Sequence, residues 1–74
     1  MLNINIMRYK IIDTQVGYYF TDDIFNSLKE VCKRLISYHE IDTNMSEAKQ
    51  LLKEKKYEEC FSSIDYDWKL EEII

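Results

Sequence analysis

The chain has 74 residues, 46% apolar and 14% aromatic, with one glycine, no proline and a formal net charge of −4. That composition excludes a disordered or linker-rich chain and allows one domain at most, residues 1–74, burying only roughly 60% of the surface its unfolded form exposes. No apolar run approaches the ~20 residues of a membrane span and Met1 to Met7 carries no basic leader, so a soluble, cytoplasmic protein without a membrane association is expected.

The distribution of charge is sharper than its total. Residues 1–56 hold nine Lys or Arg against eight Asp or Glu, whereas residues 57–74 hold one Lys against six acids. The excess negative charge therefore lies in the last quarter, which disfavours direct nucleic-acid binding, since that needs a basic face.

In chain order, INIMRYKII alternates, setting Met7, Tyr9 and Ile11 on one face and Ile6, Arg8, Lys10 and Ile12 on the other, the period of a strand. Asp13-Thr14-Gln15-Val16-Gly17 supplies turn formers, with the lone glycine where positive φ is needed. YYFTDDIF is aromatic and favours β structure, so the first 25 residues predict a β-hairpin. Ser27-Leu28-Lys29-Glu30 is a capping box, in which the Ser hydroxyl accepts from the Glu30 amide and the Glu30 carboxylate from the Ser27 amide. The helix it opens runs to about Glu40, burying Leu28, Val31, Cys32, Leu35 and the His39 position, with Glu30 and Arg34 as an i, i+4 pair.

Asn44-Met45-Ser46-Glu47 signals a second helix carrying Met45, Ala48, Leu51 and Leu52. At ~100° per residue, the stripe of Tyr57, Cys60, Phe61 and Ile64 would lie nearly opposite Leu51 and Leu52 on one continuous helix. A break within the solvated Glu54 to Tyr57 stretch is therefore expected. DYDWKLEEII alternates again, Tyr66, Trp68 and Leu70 against Asp67, Lys69 and Glu71, and predicts a final strand beside the first. A C-terminal helix is the runner-up. The fold class is α+β, with a small antiparallel sheet covered on one face by two or three helices.

RYKIIDTQVGYYFTDDIFNSLKEVCKRLISYHEID resembles the hairpin-plus-helix pattern of small phage and prophage proteins. That resemblance implies an accessory factor binding a host protein, including inhibitors of antiviral defence such as anti-CRISPR proteins. EAKQLLKEKKYEECFSSI is similar to part of a tetratricopeptide repeat, but one copy cannot build a solenoid, so an ordinary helical hairpin is expected.

Tested for chemistry, the chain offers little. Asp22 and Asp23 would point to opposite faces of a strand and read as strand-end polarity. His39 is the only histidine and stands about two helical turns from Cys32, so neither a metal nor a cofactor is expected, and Cys32 and Cys60 read as free, buried thiols. Asp65-Tyr66-Asp67 lacks the glycine and downstream ligands of a calcium loop, and Ser62-Ser63 has no identifiable base. Lys49, Lys53, Lys55 and Lys56 read as a solvated helix end, leaving a small nucleic-acid regulator as the lowest-ranked function.

What remains is the acidic, aromatic segment Glu58, Glu59, Asp65, Tyr66, Asp67, Trp68, Glu71 and Glu72. Spaced carboxylates attract a basic groove and exposed aromatics anchor contacts, so these residues are the candidate partner-binding set. The expected function is non-enzymatic: a protein-binding module, in its most specific form a phage-encoded inhibitor docking an acidic face on a basic, nucleic-acid-binding surface of a host protein. The alternative is an assembly protein that homodimerises through its aromatic sheet edge.

Overall fold

The computed structural model describes residues 7–64 and 67–73. Its elements are β1 (Arg8–Asp13), β2 (Tyr18–Tyr19), α1 (Leu28–His39), α2 (Ser46–Lys53), α3 (Tyr57–Ser63) and β3 (Trp68–Ile73). The sheet is antiparallel in the order β2-β1-β3, which is the expected small α+β arrangement with the last strand returning beside the first. The expectations for Ile6, Asp65, Tyr66 and Ile74 lie outside the described residues. No helix among the described residues is long and apolar enough to cross a membrane.

The hairpin forms through local chemistry. Asp13 Oδ1 accepts from the Gln15 amide and Asp13 O from the Gly17 amide, both at 2.9 Å, and Gly17 takes φ +76°. That left-handed geometry suits the residue without a Cβ. The second strand is much shorter than the sequence predicts. After Tyr18 and Tyr19 the chain keeps one further bond, Phe20 N to Ile11 O at 2.8 Å, then leaves β1 and returns as a single bridge between Tyr9 and Phe25. Thr21, Asp22, Asp23 and Ile24 form the excursion. It places Asp23 where its carboxylate meets Arg34 at 2.8 Å.

That ion pair replaces the expected Glu30–Arg34 pair. Glu30 is occupied at the helix start: its amide donates to Ser27 Oγ, as the capping box requires, but its carboxylate accepts from the Asn26 amide rather than that of Ser27. The box thus reaches one residue further upstream, and α1 starts at Leu28 as predicted.

The core lies between β1 and the helices. Ile11, Val31, Cys32, Leu35 and Cys60 are fully buried, with Phe25, Ile36, Ala48 and Ile64 nearly so. α1 packs across β1, and the α2–α3 hairpin packs on α1. Burying a side chain such as Leu35 contributes about 1.5–3 kcal/mol. Ile36 joins this core although the sequence stripe omitted it.

The break between the second and third helices is where the apolar phase predicts it. Lys55 N donates to Leu52 O and Lys56 N to Leu51 O, the paired bonds of a Schellman ending, with Lys55 at φ 62°. The corner turns the Leu51/Leu52 and Cys60/Ile64 stripes toward a common core.

Candidate protein-binding cleft

Strand parity sorts the C-terminal segment. The register sets Trp68 opposite Asp13, Leu70 opposite Ile11 and Glu72 opposite Tyr9, so these residues share the helix-covered face of the sheet. Lys69, Glu71 and Ile73 take the bare face, with Arg8, Lys10 and Ile12.

Trp68 is the centre of an aromatic cluster assembled from three parts of the chain. Its ring meets Phe20 at 4.9 Å, His39 at 5.7 Å and Tyr38 at 6.1 Å between centroids, all edge to face, and Phe20 meets Tyr38 at 4.8 Å. Edge-to-face geometry lets the positive ring rim meet a negative ring face. The indole Nε1–H donates to His39 Nε2 at 3.1 Å, so that nitrogen acts as an acceptor and His39 stands as a partly buried imidazole at the helix end.

The approach to β3 is tied to the hairpin turn. Thr14 N–H and Oγ1–H both donate to Asp67 O, at 2.8 and 3.0 Å, and Gln15 Nε2 donates to Asp67 Oδ2. Across from this turn, α1 ends where Asp42 N and Thr43 N donate to His39 O, leaving Ile41 83% exposed and Tyr38 54% exposed. Turn and helix end form a cleft of about 410 Å³ lined by Asp13, Gln15, Tyr38, His39, Ile41, Asp42, Thr43, Asp67 and Trp68. No Lys or Arg lines it. Carboxylates beside aromatic rings form a setting that favours a cationic side chain, by ion pairing and by cation–π attraction.

The expected partner-binding residues fall into separate places. Asp67 and Trp68 enter this cleft. Glu58 and Glu59 lie with Glu47 around a shallow depression between α2 and α3, which no aromatic residue lines. Glu71 accepts from the Tyr19 hydroxyl at 2.7 Å on the bare sheet face, where Lys10 Nζ lies 4.3 Å from the centre of the Tyr19 ring. That hydrogen bond, with burial and the Glu71 charge adding to it, raises the Tyr19 phenol above its ordinary value. Glu72 is exposed on the opposite face from Glu71. Asp65 and Tyr66 lie outside the described residues.

The lysine cluster is partly neutralised, Lys49 by Glu40 at 2.8 Å and Lys56 by Glu54 at 3.4 Å. Gln50, the largest cause, and Lys56 hold the Glu54 carboxyl below its ordinary value. Both cysteines are free and buried; Cys32 Sγ donates to Tyr57 O at 3.4 Å and Cys60 Sγ to Ala48 O at 3.2 Å. Burial first, then the neighbouring Cys60, pushes the Cys32 thiol up to about 12. Among the described residues no group of three His, Cys, Asp or Glu converges as metal ligands.

Sequence reasoning missed Asp13, Tyr38, Ile41 and Asp42 as companions of Trp68. The available signal was the pairing of the last strand with the first: a register that sets Trp68 beside Asp13 also brings it to the hairpin turn. No protein-family model, curated protein or solved structure matched the chain in comparisons with each.

Proposed function

We propose that this chain is a non-catalytic protein-binding module whose partner delivers a Lys or Arg side chain to the cleft between the hairpin turn and the end of α1. The observation that supports this reading is the lining, Asp13, Asp42 and Asp67 with Tyr38, His39 and Trp68 and no Lys or Arg. The alternative depression at Glu47, Glu58 and Glu59 offers carboxylates without rings, so a cation there would gain only exposed ion pairs, each worth about 0–1 kcal/mol. In the aromatic cleft, cation–π attraction adds roughly 0.5–2 kcal/mol according to how far the cation is desolvated. Exposed Ile41 and Tyr38 add apolar contact at the rim, and the net charge of −4 steers a basic surface into approach. The phage-type resemblance of residues 8–42 supports the narrower form, an inhibitor that occupies a basic, nucleic-acid-binding surface of a host protein.

Trp68 is the only tryptophan, so its emission reports directly on the cleft. Titration with an oligo-arginine peptide at low salt is expected to shift that emission saturably, with an oligo-glutamate peptide inert. Combining Asp42→Asn with Asp67→Asn is expected to weaken binding about tenfold, from the loss of two charge contacts. An unresponsive Trp68, or equal affinity in the double variant, would refute the assignment.

A further inference from the structure

Independent of the cleft reading is the outer edge of β3. β3 is an edge strand, and nothing among the described residues pairs with its outer side. The hydrogen bonds tell which of its backbone groups face outward. Thr14 N–H donates to Asp67 O, so Asp67 and every second residue after it, Lys69, Glu71 and Ile73, turn their N–H and C=O toward β1. Ile11 and Tyr9, the partners of Leu70 and Glu72, turn theirs toward Phe20 and Phe25 instead, which agrees with that parity. Trp68, Leu70 and Glu72 therefore present N–H and C=O at the open edge.

We infer that this edge pairs antiparallel with the same edge of a second copy of the chain, in a register centred on Leu70. Two independent features select that register. The backbone is the first: centring on Leu70 sets Leu70 against Leu70 and Trp68 against Glu72 of the second copy, so every outward N–H of these residues meets an outward carbonyl. Registers centred on Lys69 or Glu71 pair only two of these three residues with one another, whereas the Leu70 register pairs all three within the described strand. Charge is the second. On the bare face, centring on Leu70 sets Lys69 of each copy opposite Glu71 of the other, whereas the neighbouring registers set Lys69 against Lys69 or Glu71 against Glu71. Like charges directly opposite are destabilising and opposite charges stabilising.

The surroundings allow this pairing. Lys69 is exposed and makes no ion pair among the described residues, and Glu71 uses Oε1 for the Tyr19 hydroxyl, leaving Oε2 for an incoming ammonium. α1 packs on β1, and its end meets β3 through the Trp68 side chain on the helix-covered face rather than through the outward backbone groups. Six residues of strand with alternating charge on one face and Trp68 and Leu70 on the other have no proline or bulge to block addition of a strand. The result is a continuous sheet of both copies with their helices on the same side, and Glu72 of each copy stands opposite Trp68 of the other.

The test is a charge exchange read by sedimentation velocity over a concentration range at low salt. The wild-type chain is expected to show a reversible monomer–dimer equilibrium. Lys69→Glu alone and Glu71→Lys alone each set like charges opposite one another at two symmetric positions and are expected to weaken dimerisation roughly tenfold or more. An equimolar mixture of the two variants puts the acidic pair of one copy against the basic pair of the other and is expected to recover the dimer, which also shows that both variants fold. Glu72→Pro removes an outward N–H without touching the bonds to β1 and is expected to weaken the dimer with the monomer fold retained by circular dichroism. A wild-type chain that stays monomeric to millimolar concentration would overturn the proposal, as would a mixture that associates no better than either variant alone.

Discussion

Lys55 carries a φ of 62° at the corner between α2 and α3, in the left-handed region that costs an L-residue roughly 1–2 kcal/mol. Lys55→Gly removes that cost and gives back roughly 0.5–1 kcal/mol through the greater freedom of glycine in the unfolded chain. The net expectation is a gain of about 0.5–1 kcal/mol. For a domain of this size that raises Tm by roughly 2–8 °C, at ~4–8 °C per kcal/mol. With a urea slope near ~1 kcal/mol/M, the unfolding midpoint moves up by about 0.5–1 M. Urea titration followed by Trp68 emission and by circular dichroism measures it. Lys55→Ala serves as the control, because it loses the charge but keeps the Cβ, and is expected to stay within ~0.5 kcal/mol of wild type. The reasoning is refuted if Lys55→Gly destabilises. In one continuous helix over residues 46–63, glycine would cost about 1 kcal/mol, so the sign of the change separates the broken helix from the unbroken one.

Two further outcomes follow from the core. Leu35→Ala empties a fully buried site, and its cost of about 2–5 kcal/mol equals most of the ~3–5 kcal/mol that a core this small supplies, so the variant is expected to be largely unfolded at 25 °C by circular dichroism. The Cys32 thiol titrates near 12 in the folded chain against an ordinary value of 9.0, so the unfolded chain ionises first. Its contribution to stability is fully present below about pH 9 and is lost as the pH climbs toward 12, because the unfolded state sheds its proton through that window. Alkylation at pH 8.5 is accordingly expected to proceed no faster than unfolding, and to become rapid for both cysteines in about 6 M guanidinium chloride. Fast labelling of the native chain would contradict the burial of Cys32 and Cys60.

Local signals and tertiary placement divided the work unevenly. The turn at Gly17, the cap at Ser27, the stripe Val31-Cys32-Leu35 and the corner at Lys55 were all readable, because each depends on residues within a turn or two of one another. The excursion at residues 21–24 was not. TDDI has no strong breaker, and what draws it out is the Asp23–Arg34 ion pair with the return of Phe25 to Tyr9, contacts whose partners are 11 and 16 residues away. The same competition took Glu30 away from Arg34 and settled its carboxylate on Asn26.

For the candidate site the division is sharper still. Composition and periodicity identified Trp68 and Asp67 as residues to watch, and placed them on a last strand beside the first. The alternation of the last strand already set Glu71 and Glu72 on opposite faces, but it could not say that they lie apart from Glu58 and Glu59, which the helix corner carries to a separate depression. Nor could it join Trp68 to Tyr38, His39 and Asp42, residues 26 to 30 positions earlier at or just past the end of α1. Sequence alone determined the order of strands and helices and where the helices start and break, because hydrogen-bonding chemistry and apolar period act locally, but not how soon the second strand leaves the sheet. Only the tertiary structure decided which carboxylates share a cleft with an aromatic ring and which strand edge is left open, because those follow from the register of β3 on β1 and from where α1 stops.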